Sequence, residues 1–249
     1  GLSGICQDKT IKSANNYFKD LQYQKAIKEY KKAWDKMEDN SFKKQRVAFN
    51  LGECYRLINN PSKAADWYSK IADTKFADKN TIIYLHYADA LRSLDNCSQA
   101  MVYYKKYLDK EPDNYLAENG IISCELFSDS TLSSRLVVDN VTNLNSSVDD
   151  YTANFSSKNF DQLFFSSNRE GSVGKEHDNW SGAWFAYIYF SNYKNSTWET
   201  PLPADETEVL NTESNEGTPV FNKKFSTVYF TRCEKGVDRK VYCQIMQSN

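Results

Sequence analysis

Three stretches decide how the first half of the chain folds: "YQKAIKEYKKA" (Tyr23–Ala33), "PSKAADWYSKI" (Pro61–Ile71) and "CSQAMVYYKKY" (Cys97–Tyr107). They align on Ala26, Ala64 and Ala100, so the pattern returns after 38 and then 36 residues. From Thr10 to Phe127 glycine and proline are scarce, and apolar residues recur three and four apart, as in Ala26, Tyr30 and Ala33. Such spacing predicts amphipathic helices. Its recurrence predicts an array of stacked helix pairs, each too small to bury its own apolar face.

The residues around these stretches resemble the tetratricopeptide repeat. Leu51, Gly52, Tyr55, Ala64 and Tyr68 occupy that family's signature positions in the second repeat. Ala88, Leu91, Ala100, Tyr104 and Pro112 do so in the third, and Ala14, Tyr17, Ala26, Tyr30 and Ala33 in the first. The grammar is physical: small residues let antiparallel helices approach, and aromatics fill the space between one pair and the next. The resemblance implies a tail over residues 1–9, then three repeats and a cap helix (Tyr115 to Phe127) within residues 10–127. It also implies a concave face that takes a peptide or protein. Alignment places Asn15, Phe18, Lys19, Phe49, Glu53, Arg56, Leu85, Asp89 and Arg92 on that face. Taken singly, the charged members read as solvated helix surface, with ion pairs worth a few tenths of a kcal/mol. Taken as a face, they read as a grip on an extended partner.

Serine, asparagine and aspartate accumulate after Phe127, which predicts a linker over 128–134 and a change of period beyond it. "RLVVDNVT", "QLFFSS", "AWFAYIYFS" and "TVYFTR" then read as strands. Two of the segments repeat: Phe155 and Phe221 lie 66 residues apart, Phe165 and Phe230 lie 65 apart, and each copy runs into a charged turn ending in glycine. Glu216–Phe221 (acidic-x-x-Pro-x-Phe), Phe165–Gly171 (Phe-Ser-Ser-Asn-Arg-Glu-Gly) and Ile188-Tyr189 resemble the WD40-like PD40 repeat. Ala153 stands for the proline of the first copy, and Arg232-Cys233 interrupts the second. The resemblance implies that residues 135–249 begin a β-propeller. The fold class expected is therefore α plus β multidomain, an all-α tetratricopeptide solenoid followed by all-β propeller blades. A ring needs at least about four blades, so more are expected beyond this chain.

Composition narrows the function. With 31 basic and 33 acidic residues, the net charge of −2 offers no field for nucleic acid. No apolar run reaches the roughly 18 residues of a membrane span. The start, "GLSGICQDKT", is compatible with the end of a signal peptide, but Ile5 before Cys6 matches a lipoprotein acceptor site poorly. The six cysteines form no CxxC pair and only two histidines exist, so no metal and no cofactor is expected. Cys233 and Cys243 flank a hairpin-like segment and are either a disulfide or two reduced strand cysteines. His86 reads as packing or surface, and His177, between Glu176 and Asp178, as part of a solvated loop. No nucleophile elbow, phosphate loop or metalloprotease motif occurs, so no enzyme activity is expected. "DST" at Asp129 to Thr131 matches a short glycosylation signal of exported proteins, or is simply linker.

Tetratricopeptide repeats followed by PD40 blades resemble PorE-like components of the type IX secretion system, an OmpA-family envelope architecture. That resemblance implies a non-catalytic periplasmic scaffold, associated with the outer membrane, whose partners are envelope proteins of the secretion complex. Peptidoglycan would be reached only through a domain outside this chain. The alternatives are the non-catalytic part of a propeller-gated peptidase, or a generic OmpA-family binding protein.

Overall fold

The computed structural model describes residues 2–37, 41–128, 138–171, 177–205, 209–237 and 241–249, with side chains from Lys9 onward except Lys235. The chain divides into a helical unit up to residue 137, which also takes in residues 179–181, and a β unit formed by the rest.

The helical unit contains α1 (Leu2–Lys19), α2 (Tyr23–Trp34), α3 (Phe42–Leu57), α4 (Pro61–Ser69), α5 (Lys75–Lys79), α6 (Ile82–Arg92), α7 (Cys97–Leu108) and α8 (Tyr115–Ser128). The pairs α1/α2, α3/α4 and α6/α7 are the three expected repeats, and the unit is tetratricopeptide-like. Two expectations are corrected. Residues 2–9 belong to α1 rather than to a tail, and α5 is an extra short helix after the second repeat.

Each pair turns the same way. Leu21, Asn59 and Asp95 adopt positive φ of 59°, 55° and 58°. The next residue's N–H then bonds back to Tyr17, Tyr55 and Leu91 carbonyls at 2.8, 2.8 and 3.0 Å. This is the left-handed helix ending that satisfies orphan carbonyls. Asn60 and Asn96 cap the following helices through Lys63 and Gln99 N–H. Helix crossings are set by size: a Cβ on Gly52 would stand 2.4 Å from the Tyr68 ring, and one on Gly120 would stand 2.3 Å from the Tyr104 ring. The core is continuous, with Ala14, Ala26, Ala64, Ala88, Ala100 and Ala117 all fully buried among tyrosines. A disulfide, Cys97–Cys124, with Cα atoms 5.2 Å apart, ties α7 to the cap helix α8.

The β unit has two antiparallel sheets. The first contains β1 (Asp150–Phe155), β2 (Gln162–Ser167), β3 (Tyr187–Lys194), β4 (Thr197–Trp198) and β5 (Leu202–Pro203). The second contains β6 (Asn215–Phe221), β7 (Val228–Lys235) and β8 (Val241–Ser248). The described part of "RLVVDNVT", residues 138–142, does not form the expected strand. The first three residues of that stretch, the linker residues 129–134 and the "DST" signal lie outside the described residues, and 138–142 are irregular, with Val138 90% exposed. A β-branched run without a strand to pair with has nothing to hold it extended. The tract "AWFAYIYFS" becomes strand only from Tyr187.

The repeat noted in the sequence is geometric. The bulge between Tyr151 and Asn154 recurs between Gly217 and Val220. Thr152 and Thr218 share φ 55°, and Phe160 and Phe225 share φ 57°. The unit also begins earlier than the sequence motif: Leu144-Asn145-Ser146 matches Leu210-Asn211-Thr212, again 66 residues on. Ser146 Oγ donates to Asp150 at 2.8 Å and Thr212 Oγ1 donates to Glu216 at 2.6 Å. The same acids are closed by arginines, Asp150 by Arg169 at 2.6 Å and Glu216 by Arg232 at 2.9 Å. Arg169 lies over Phe165 and Arg232 over its counterpart Phe230. Arg232 thus performs Arg169's task from two positions earlier in the repeat, which accounts for the break in the motif. Cys233 and Cys243, direct cross-strand partners, are joined as a disulfide.

Candidate protein-binding face

The first helix of each pair carries one polar residue that accepts from the tyrosine 15 positions later in the second helix. Tyr30 Oη donates to Asn15 Oδ1 at 2.6 Å, Tyr68 Oη to Glu53 Oε1 at 2.5 Å and Tyr104 Oη to Asp89 Oδ1 at 2.6 Å. The constant separation gives the ladder the same period as the alanines. Residues of the next repeat then close on the first two rungs. Asn50 Nδ2 donates to Tyr30 Oη at 3.1 Å, and His86 Nδ1 lies 2.6 Å from Glu53 Oε1.

Glu53 is the most committed member. It is 8% exposed and takes bonds from Tyr68, His86 and both Nε (3.3 Å) and Nη2 (2.8 Å) of Arg56. Burial pushes its carboxyl up, but hydrogen bonds from His86, Arg56 and Tyr68 outweigh it and hold the group at about 2. Burial and the facing carboxylates push the Tyr68 and Tyr104 phenols well up, so both stay donors. Asp89 is half-buried, and Arg92 donates through Nε to Tyr104 Oη at 3.0 Å while its Nη2 lies 4.0 Å from Asp89. Cys54, next to Glu53, is fully buried, and burial pushes its thiol up to about 12, so it packs and does not react.

The structure therefore brings Glu53, Arg56, Asp89, Arg92 and Asn15 into one ladder, with Phe49 beside the Tyr68 ring (centroids 6.5 Å apart). Leu85 is core at 3% exposure, Phe18 is half-buried against the edge of the helical core, and Lys19 is exposed. Sequence reasoning missed the tyrosine hydroxyls and His86, because it treated the aromatics as space-filling. The constant offset of 15 between polar residue and tyrosine was the available signal. It also missed Cys97–Cys124, which joins residues 27 apart in different helices. His177 stacks on Trp184 (4.0 Å) and its Nδ1 lies 3.1 Å from the Gly182 carbonyl oxygen; its neighbour Glu176 lies outside the described residues. Among the described residues, no group of His, Cys, Asp and Glu has the arrangement of a metal site, and no helix is long and apolar enough to cross a membrane.

No protein-family model matches the chain, and no curated protein matches it. Solved structures similar to it are tetratricopeptide domains. The first such domain of Spaghetti (RPAP3), bound to an HSP90 peptide, is 21% identical, with a TM-score of 0.41 over 49% of this chain and 91% of that one. The Sgt2 domain from Aspergillus fumigatus is 17% identical, with a TM-score of 0.42 over 54% and 87%. The second such domain of human RPAP3, in complex with an HSP70 peptide, is 17% identical, with a TM-score of 0.40 over 48% and 98%.

Proposed function

We propose that this chain is a non-catalytic scaffold that grips a protein partner along the first-helix face of its helical array. The observation that carries the reading is the ladder itself. Buried Glu53, and the Tyr104 hydroxyl beside half-buried Asp89, hold Arg56 and Arg92 at a fixed repeat spacing, with each arginine side chain still partly exposed. A pre-organised guanidinium loses little entropy when it binds a peptide carbonyl or carboxylate. The β unit is read as two consecutive PD40-type blades, supported by the shared bulges, turns and acid–arginine pairs. Two disulfides among the described residues support an exported, oxidising location, because such bonds rarely persist in a reducing cytosol. Together with the order of the domains, they favour a periplasmic envelope component associated with the outer membrane, of the type IX secretion kind.

The test is capture of the tagged chain from detergent-solubilised envelope, followed by mass spectrometry, beside an Arg56→Met/Arg92→Met variant. Methionine keeps packing volume without setting a new charge beside Glu53. Stoichiometric envelope proteins recovered with the wild type and lost with the folded variant are expected. Equal recovery by both would remove the face from consideration.

A further inference from the structure

The three rungs of the ladder are not finished alike. Asn50 completes the first, its Nδ2 donating to Tyr30 Oη at 3.1 Å, and His86 completes the second, its Nδ1 lying 2.6 Å from Glu53 Oε1. Asn50 and His86 stand 36 residues apart, as do Glu53 and Asp89, so both closing groups come from one repeat position of the helix that follows. At the third rung the following helix is α8, and over the Tyr104 ring it presents Gly120, where a Cβ would stand 2.3 Å from the ring. No side chain fits at that position while the fully buried Tyr104 keeps its place. The Cys97–Cys124 bond fastens α8 to α7 and holds it in this register.

The third rung therefore keeps hydrogen-bonding capacity that the second has used. Glu53 meets four partner atoms and its side chain is 11% exposed. The Asp89 side chain is 43% exposed and accepts, among the described residues, only from Tyr104 Oη at 2.6 Å. Arg92 donates through Nε to the same hydroxyl at 3.0 Å, and its Nη2 lies 4.0 Å from Asp89 Oδ1, beyond hydrogen-bond reach. Asp89 Oδ2 and the terminal nitrogens of Arg92 have no hydrogen-bond partner among the described residues. Both side chains are nevertheless fixed, because each is tied to one buried hydroxyl. The rung thus offers a positioned acceptor beside a positioned donor.

Charge decides what fits there. A cation drawn to Asp89 meets Arg92, and an anion drawn to Arg92 meets Asp89. A carboxamide satisfies both, since its N–H donates to Asp89 Oδ2 while its C=O accepts from an Arg92 terminal nitrogen. We propose that the Asp89–Arg92–Tyr104 rung is a specificity site for an asparagine or glutamine side chain of the bound protein segment, which completes the third rung as the Asn50 carboxamide completes the first. This rests on the reading of the first-helix face as partner-binding, and it names the residue type that the face selects.

A random-peptide phage library panned on the immobilised full chain, beside an Arg56→Met chain, reads that preference. Peptides that need Arg56 and carry asparagine or glutamine at one fixed position are expected. Such a peptide should bind the Asp89→Asn chain about tenfold or more weakly, because the new side chain keeps its carbonyl on Tyr104 Oη and turns an amide N–H toward the ligand's own. The same peptide with the matching acid in place of its amide should reverse the order and bind the Asp89→Asn chain better than the wild type, which lost packing alone does not produce. Arg56-dependent peptides with lysine or an acid at the fixed position, or with binding unchanged by Asp89→Asn, would overturn this proposal and leave the face standing. Peptides sensitive to Asp89→Asn but without any side-chain preference would overturn it too, by giving the rung to the peptide backbone. Absence of any Arg56-dependent peptide would remove the face itself, and this site with it.

Discussion

A carboxylate held at about 2 and 8% exposed makes Glu53 the residue where the helical array is most sensitive to acid. Its folded value lies below the 4.5 of an unperturbed glutamate, so its contribution is fully present above about 4.5 and disappears as pH falls through about 2. The difference corresponds to on the order of 3 kcal/mol. Urea melts of wild type and Glu53→Gln should therefore differ most near pH 7 and converge near pH 2; a constant gap would show that Glu53 is not the titrating group. Gly52 gives a second test, with a sign opposite to helix propensity. Alanine normally stabilises a helix interior by about 1 kcal/mol over glycine. Here its Cβ meets a fully buried Tyr68 ring that Glu53 holds in place, so Gly52→Ala should destabilise by about 1–3 kcal/mol in a thermal or urea melt. Leu21 offers the reverse. It occupies at φ 59° the left-handed turn position that Asn59 and Asp95 fill in the other repeats. Leu21→Gly should stabilise by up to about 1 kcal/mol in the same melts.

At the scale of elements, the helix pairs were legible in the sequence because their period is local. Ala26, Ala64 and Ala100 needed no tertiary information to be aligned, and the turns between helices repeat with them. The β repeat was legible only in part. Phe155 and Phe221 marked it, but Leu144-Asn145 and Leu210-Asn211 carry no strand or helix period, since they lie in irregular chain, and Asn211 acts across sheets through Ile188. Residues 138–142 of "RLVVDNVT" are irregular for a related reason, because strand formation depends on a partner that periodicity does not reveal. The acid–arginine pairs give a prediction at this scale. Glu216 is fully buried and Arg232 nearly so. Arg232→Leu, which strands a buried carboxylate, should cost about 3–5 kcal/mol, and adding Glu216→Leu should recover much of that loss in the double mutant. Additive losses would mean that the two side chains are not energetically coupled. The Cys97–Cys124 bond closes a loop of 27 residues and should contribute about 3–4 kcal/mol through the unfolded chain. A Cys97→Ser/Cys124→Ser variant should lower the helical melting temperature, and an unchanged value would show that α8 is held by packing alone.

For the molecule as a whole, the net charge is −2 and two repetitive units make up the described residues. The face could be listed from the sequence by alignment, but its character could not. Glu53 and Arg92 looked like free charges, and the burial of Glu53 and the tyrosine partners of both arise only when second helices pack on first ones. The face still exposes Lys19 and part of Arg56 and Arg92, and those are the groups a partner would reach. The most direct measurement is hydrogen-exchange mass spectrometry of the chain alone and with the protein recovered in the capture experiment proposed above. The account predicts added protection over α3 and α6, with loss of that protection in the Arg56→Met/Arg92→Met variant. Protection confined to the outer helices α2, α4 and α7, or unchanged in the variant, would contradict it.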